Sequence, residues 1–188
     1  MLTLSEHRVD QAQWCPSPNF NDRPDPADIS LLVIHNISLP PGQFGSGHIQ
    51  ALFQNCLDPA QHPYFETLHQ LTVSSHFLIR RDGSLVQFVP CDKRAWHAGL
   101  STFQGRENCN DFAIGIELEG TDTMPYETAQ YVTLVALTGL LQHHYPAIVD
   151  TRITGHEHIA PGRKTDPGPA FDWQRYRQQL AALKEQTA

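Results

Sequence analysis

Short apolar runs between turn residues predict the strands of this chain. The run SLLVIH at residues 30–35 has turn signals on both sides, which predicts a strand buried on both faces with His35 at its carboxyl end. In TVSSHFLIRRDGSLVQFVP, two apolar segments flank Asp82-Gly83, a dipeptide suited to a tight turn, so a hairpin is predicted with His76 inside its first strand. FAIGIELEG and residues 152–154 predict two more strands.

Apolar residues at helical spacing predict three helices. The first helix has an apolar face made of Ile49, Leu52, Phe53, Cys56 and Leu57. The second runs from about residue 125 to residue 145, where Pro146 ends it, and the third follows Asp172 as its N-cap. Strands separated by helices, together with one hairpin, predict an α/β fold in which helices flank a mixed central β-sheet.

The N-terminal residues have a different composition. Their segment CPSPNFNDRPDP is rich in Pro, Asn and Asp, which disfavour both helix and strand. We therefore predict that residues 1–29 form an extended arm that lies over the body of a single domain covering residues 1–188.

Composition and charge narrow the class of function. The formal net charge of −7 opposes binding to a phosphate backbone, which excludes nucleic acid as a partner. No apolar stretch approaches the roughly 20 residues of a membrane span, and the N-terminus lacks a basic segment followed by an apolar run. We therefore expect a soluble, cytoplasmic protein with no membrane partner. The four cysteines have no C-x-x-C spacing, which favours reduced, buried thiols.

A metal site is indicated by the histidines and by one loop. The eleven histidines raise the expectation of a metal or acid–base site, because imidazole is the commonest metal ligand. A catalytic zinc takes three protein ligands and leaves a fourth position for water. In the Pro/Gly-rich segment TGHEHIAPGRKTDPGP, His156 and Asp166 stand ten residues apart, and His35 at a strand end is the best-placed third ligand. On spacing alone, His158 is an equal alternative to His156.

Two glutamates compete for the role of the base that activates water. Glu117 follows apolar residues in a strand, where burial raises the pKa of a carboxyl and suits it to general-base catalysis. Glu119 has the same parity along the strand, and either residue could instead pair with Arg80 or Arg81. Lys164 could stabilise the oxyanion that forms when water attacks an amide.

Four segments occur in the order of a known family: HNISLPPGQFG, RRDGSLVQFVPCDKRAWHAGLSTFQGREN, NDFAIGIELEGTD and GHEHIAPGRKTDPGP. Over about residues 14–176 the chain resembles the cytoplasmic AmpD-type 1,6-anhydro-N-acetylmuramoyl-L-alanine amidases. Phage amidases and peptidoglycan recognition proteins look similar in fold and zinc site. The resemblance implies this fold, a Zn²⁺ cofactor and an anhydro-muropeptide as small-molecule substrate.

The resemblance also implies the roles of individual residues. It points to His35, His156 and Asp166 as the zinc ligands. It points to Glu117 as the base and to Lys164 as the partner of the oxyanion. Asn36 and Trp96 are expected to line the pocket for the muramyl sugar, although a core position is the alternative for Trp96.

The chain departs from the family pattern in two respects. His158 stands where relatives usually carry Asn or Asp, and Thr72 and Asn108 stand where relatives often place arginines that meet peptide carboxylates. We expect recognition of the stem peptide to use other arginines instead, the candidates being Arg80, Arg106 and Arg163.

Together these features predict a monomeric zinc amidase. Its reaction would be hydrolysis of the amide between 1,6-anhydro-N-acetylmuramic acid and L-alanine in cell-wall recycling, which would deplete the muropeptides that induce β-lactamase. The alternatives are a non-catalytic peptidoglycan-binding module and an endolysin that acts on polymeric wall. The complete ligand set favours an enzyme over the binding module.

Overall fold

A six-stranded mixed sheet forms the centre of the fold. The structure is a computed structural model and describes residues 2–187. The strands are β1 (Leu4–Ser5), β2 (Arg8–Val9), β3 (Gln13–Trp14), β4 (Phe20–Asp22), β5 (Leu31–Ile37), β6 (Phe77–Ile79), β7 (Leu85–Gln87), β8 (Lys93–Ala95), β9 (Thr102–Phe103), β10 (Arg106–Glu107), β11 (Ala113–Glu119) and β12 (Ile153–Gly155). The helices are α1 (His48–Phe53), α2 (Thr128–His144), α3 (His156–Ile159) and α4 (Trp173–Thr187), and 3-10 turns occupy Pro59–Gln61, Pro63–Thr67, Cys109–Asp111 and Asp150–Arg152.

The order of strands in the central sheet is β12-β5-β11-β6-β7-β3. The neighbours β12, β5, β11 and β6 are parallel, whereas β6 and β7 form an antiparallel hairpin. Gly83 has a φ of +83° in the turn of this hairpin, as the Asp82-Gly83 signal predicts. The α/β class with a mixed sheet is therefore confirmed.

The two faces of the sheet pack against different layers. Leu32, Ile34 and Ile116 belong to an apolar cluster that includes residues of α2 and α4. Leu31 and Val33 point the other way and pack with Phe112 and Ile159. Burial on both faces explains why residues 31–34 of β5 are apolar without interruption. Within residues 2–187, no helix combines the length and the apolarity that a bilayer span requires.

The N-terminal arm is more regular than its composition predicts. β1 and β2 form a hairpin, β3 pairs with β7 at the sheet edge, and β4 pairs with β8. The prediction that this segment forms no strand is therefore wrong. For β3 and β4, hydrogen bonding to strands from distant parts of the chain outweighs the low strand propensity of the segment.

The structure also differs from the sequence-based predictions in three details. Helix α1 ends at Phe53 and Asn55 adopts a φ of 59°, so Cys56 turns to the surface while Leu57 remains buried. His76 precedes β6 rather than lying in it. Of the cysteines, Cys91 and Cys109 are buried as expected, but Cys56 is exposed.

Candidate metal centre

Three adjacent parallel strands bring the candidate site residues together. The register of β11 on β5 places Glu117 beside His35. The register of β12 on β5 pairs Gly155 with Ile34, so His156, the next residue, lies beside His35 on the other side. The carboxyl ends of parallel strands meet at one edge of the sheet, which is where the site forms.

Three potential ligand atoms form a small triangle at this edge. His35 Nδ1 lies 3.0 Å from His156 Nδ1 and 3.1 Å from Asp166 Oδ2, and the third side measures 3.0 Å. His156 Nε2 lies 3.1 Å from the carbonyl oxygen of Ala98 and therefore donates its proton there. In the tautomer with its proton on Nε2, the Nδ1 atom carries a lone pair that faces the other two atoms.

The triangle fits a metal ion. Ligands at about 2.0–2.2 Å from a tetrahedral zinc lie roughly 3.3–3.6 Å from one another, so only a slight opening of the triangle is required. Lone pairs that converge on one point repel unless a cation lies between them. Two imidazoles and one carboxylate are the donor set typical of a catalytic zinc, which keeps a fourth position for water or substrate.

The protonation states of the ligands also suit a metal. Burial lowers the pKa of His35 to about 4, so the ring is neutral at physiological pH. Burial alone would raise the pKa of Asp166, but the adjacent imidazole rings of His156 and His35 outweigh it and hold this pKa below its ordinary value. A neutral imidazole and an ionised carboxylate are the forms that bind metal ions.

The geometry separates the two competing glutamates. Glu117 is 7% exposed, and its buried Oε2 has no hydrogen-bond partner among the described residues. Burial, and then the neighbouring Asp166, raise the pKa of Glu117 well above its ordinary value. Glu119 instead accepts hydrogen bonds from the backbone N–H groups of Gly45, at 2.7 Å, and Arg81, at 3.2 Å. Glu119 therefore holds loops together, whereas Glu117 lines the groove.

The two competing histidines are separated as well. The side chain of His158 is 58% exposed and lies 3.9 Å from Glu157. The group of possible metal ligands contains His156 and not His158.

A groove of about 550 Å³ runs past the triangle. Lys164 and Trp96 line it, together with apolar side chains such as Tyr64 and Leu68. The half-buried Trp96 donates its indole N–H to Asn21 Oδ1 at 2.7 Å, so its polar edge is already bound within the protein. Trp96 is thus a wall of the groove rather than a core residue.

Asn36 also lines the groove, but its amide nitrogen is already engaged. Nδ2 donates to Asp122 Oδ1 at 2.8 Å and to the carbonyl oxygen of Pro167 at 3.1 Å. Asn36 therefore ties the loop that carries Asp166 to the segment beyond β11.

The candidate arginines lie elsewhere. Arg106 pairs with Asp28 and stacks over Phe112, with 3.9 Å between the guanidinium carbon and the ring centroid. Arg163 donates to the carbonyl oxygens of Ala98 and Leu100, and Arg80 follows β6 at the hairpin. None of the three is among the described residues that line the groove. The prediction that one of them meets the stem peptide has no groove contact to support it.

Two further residues touch the site without a sequence signal that singles them out. His97 Nδ1 lies 2.9 Å from His35 Nε2, and Asn110 holds the backbone of His97. The position of His97, directly after Trp96 in a family-like segment, is the one available hint.

Comparison with known proteins agrees with this geometry. A model of the N-acetylmuramoyl-L-alanine amidase family matches residues 25–169. The 1,6-anhydro-N-acetylmuramyl-L-alanine amidase AmpD of Citrobacter freundii is 59% identical over 176 residues, which cover 94% of each chain. A crystal structure of a selenomethionine derivative of AmpD has a TM-score of 0.93 and 58% identity, covering 95% of this chain and 99% of that one.

A more distant structure is the complex of the N-acetylmuramyl-L-alanine amidase AmiD from E. coli with the substrate anhydro-N-acetylmuramic acid-L-Ala-D-γ-Glu-L-Lys. It has a TM-score of 0.60 and 30% identity, covering 95% of this chain and 65% of that one. The matched range includes His35, Glu117 and His156, the residues that the strands bring together. The chain belongs to the N-acetylmuramoyl-L-alanine amidase family, among its AmpD-type members.

Proposed function

We propose that this chain is a zinc-dependent amidase that hydrolyses the amide between 1,6-anhydro-N-acetylmuramic acid and L-alanine in soluble muropeptides. The observation that carries the proposal is the triangle of His35, His156 and Asp166 beside the unpartnered carboxyl of Glu117. The names of the AmpD relatives and the substrate in the AmiD complex support this choice of substrate.

His35, His156 and Asp166 would hold the zinc ion. When bound, zinc supplies a Lewis acid that polarises the amide carbonyl and lowers the pKa of water. Glu117 takes the proton of the attacking water and returns it to the amine of alanine as the amide bond breaks. Its raised pKa suits both steps, because the group must accept and then release a proton.

Lys164 and the groove walls complete the proposed site. The ammonium group of Lys164 stabilises the negative charge that develops on the amide oxygen. The indole face of Trp96 packs against the apolar side of the sugar, and Oδ1 of Asn36 accepts a hydrogen bond from the substrate.

The proposal extends to the setting of the enzyme. We propose a cytoplasmic monomer that acts in cell-wall recycling and lowers the concentration of muropeptides that induce β-lactamase. Resemblance to AmpD-type amidases supports this part of the proposal. Cell fractionation tests the cytoplasmic location, and size-exclusion chromatography tests whether the protein is a monomer.

The test of the reaction uses purified, zinc-loaded protein and a soluble anhydro-muropeptide. We expect release of the stem peptide, followed by liquid chromatography and mass spectrometry. Glu117→Gln should bind one equivalent of zinc yet lose activity by about 10²–10⁴-fold, because it lacks the base. The matched control Glu107→Gln, on the exposed strand β10, should retain full activity.

Several outcomes would contradict the proposal. Full activity of Glu117→Gln would remove Glu117 from the reaction. A zinc-loaded protein that binds muropeptides but releases no peptide would be a binding module. Faster cleavage of intact sacculi than of soluble muropeptides would identify an endolysin.

A further inference from the structure

We propose that the dipeptide His97–Ala98, held in place by Asn110, sets the proton positions of both histidine ligands. His97 and Asn110 would thus be positioning residues for the metal centre. This inference rests on the metal site of the proposed function.

Each histidine ligand meets one polar atom of this dipeptide. His35 Nε2 lies 2.9 Å from His97 Nδ1, and His156 Nε2 lies 3.1 Å from the carbonyl oxygen of Ala98. A carbonyl oxygen only accepts, so His156 keeps its proton on Nε2 and its lone pair on Nδ1. When His97 Nδ1 accepts from His35 Nε2, His35 likewise presents the lone pair of Nδ1 to the metal.

The dipeptide is anchored by a single side-chain oxygen. Asn110 is 7% exposed, and its Oδ1 accepts the backbone N–H groups of His97, at 3.1 Å, and Ala98, at 2.8 Å. Because one oxygen holds two consecutive N–H groups, the two acceptors are fixed relative to each other. The His97 ring packs against Gly115 of strand β11. A Cβ atom at Gly115 would lie 2.6 Å from the ring, so only glycine leaves room for it.

The other polar groups near the dipeptide do not replace these contacts. Arg163 Nη2 lies 3.5 Å from His156 Nε2 but only 2.6 Å from the carbonyl oxygen of Ala98, to which it donates. His76 accepts the N–H of Gly115 at 3.0 Å through Nδ1, and its ring centroid is 5.7 Å from that of His97. The buried Nε2 of His97 has no hydrogen-bond partner among the described residues, so Nδ1 is the nitrogen through which this ring bonds to its neighbours.

The test compares matched substitutions. Asn in place of His97 puts an acceptor oxygen where Nδ1 lies, whereas Leu has similar branching and no acceptor. We expect His97→Leu to weaken zinc binding by about 10–100-fold, because the loss of such partners reduces metal affinity by that factor. His97→Asn should remain within about threefold of the wild type. Asn110→Leu and Asn110→Asp form a second pair, in which Asp retains the acceptor.

The measurement is the zinc dissociation constant, obtained at one pH by competition with a chromophoric chelator. Leu134→Ala, in the core beside α4, is the control for loss of stability. It should lower the melting temperature without changing zinc affinity. A second measurement needs no variant: nitrogen-15 NMR of the zinc-loaded wild type should detect a scalar coupling across the N–H···N hydrogen bond between His35 and His97.

Three results would overturn the inference. His97→Leu could bind zinc as tightly as the wild type, Leu134→Ala could weaken zinc binding as much as His97→Leu, or the zinc-loaded wild type could lack the coupling. A wild-type chain that binds no zinc would be a different result, because it would overturn the proposed function and the inference with it.

Discussion

At the scale of one residue, the fold buries a reactive carboxyl group, that of Glu117. Its strand neighbours are apolar and buried, and the carboxyl is held where water solvates it poorly. Burial disfavours the charged form, so the pKa rises and the carboxyl stays protonated over part of the pH range in which a free glutamate is ionised. The burial that suits Glu117 to proton transfer therefore also destabilises the folded protein when this carboxyl is ionised.

We expect Glu117→Gln to stabilise the metal-free protein increasingly as pH rises. In the unfolded chain the carboxyl loses its proton near its ordinary pKa of 4.5, whereas the folded protein retains it to higher pH. The folded state then binds more protons than the unfolded state, so its stability falls with pH above 4.5 up to the raised pKa. Glutamine has no such proton. Urea unfolding from pH 5 to pH 8 with a chelator present measures the difference, with Glu107→Gln as control. A difference that does not change with pH would refute this account.

At the scale of elements, strand β11 connects the core to the site. Ile114, Ile116 and Leu118 pack in the apolar cluster with α2 and α4. Gly115 and Glu117, of opposite parity, face His97 and the groove. One face of β11 therefore packs in the core. Its other face gives space to the His97 ring at Gly115 and presents the Glu117 carboxyl to the candidate metal centre.

The arm is joined to the start of β11 by Arg23, which is 5% exposed. Its guanidinium donates to carbonyl oxygens of Asn110 at 3.2 Å, Cys91 at 3.1 Å and Ala113 at 2.9 Å. We expect Arg23→Met to reduce the free energy of unfolding by about 3 kcal/mol, because it leaves buried carbonyl groups without donors. Urea unfolding measures the change in the free energy of unfolding.

The control is Arg8→Met, on the surface beside Trp14, which should change the free energy of unfolding by less than about 0.5 kcal/mol. An equal effect of the two variants would contradict the prediction.

The sequence predicts those elements whose formation depends on residues within the same segment, and not those that depend on contacts with distant segments. Strands β5 and β11 and the hairpin of β6 and β7 follow from apolar runs and a turn dipeptide within each segment. Strands β3 and β4 of the arm form by pairing with distant segments, which no local pattern contains. The same division holds for the site. Family-like motifs point to His35 and Asp166, whereas the contact of His97 with His35, 62 residues away, arises only when segments that are far apart in sequence pack together.

At the scale of the whole molecule, the proposed zinc should couple its binding to global stability. A ligand that binds only the folded state stabilises it by about 2.7 kcal/mol at 100 times its dissociation constant. For a chain of this size that corresponds to a rise in melting temperature of about 5–10 °C. Calorimetry of metal-free protein with and without zinc measures the shift. His35→Ala should show none, and an equal shift in that variant would place the zinc elsewhere.

The position of β5 between β11 and β12 also governs when the metal centre can exist during biosynthesis. His35 leaves the ribosome long before residues 113–119 and 153–155, the two strands that flank it. At about 5–20 residues per second, β5 waits roughly 6–24 s for its last neighbour. Until residues 113–119 emerge, β5 has no parallel partner, and until residues 153–155 emerge one edge of β5 stays unpaired while the nascent chain carries one of the three proposed ligands. Under the proposed function, zinc would therefore bind late in maturation, because a chain interrupted before β12 lacks an edge strand of the central sheet and the candidate ligands His156 and Asp166.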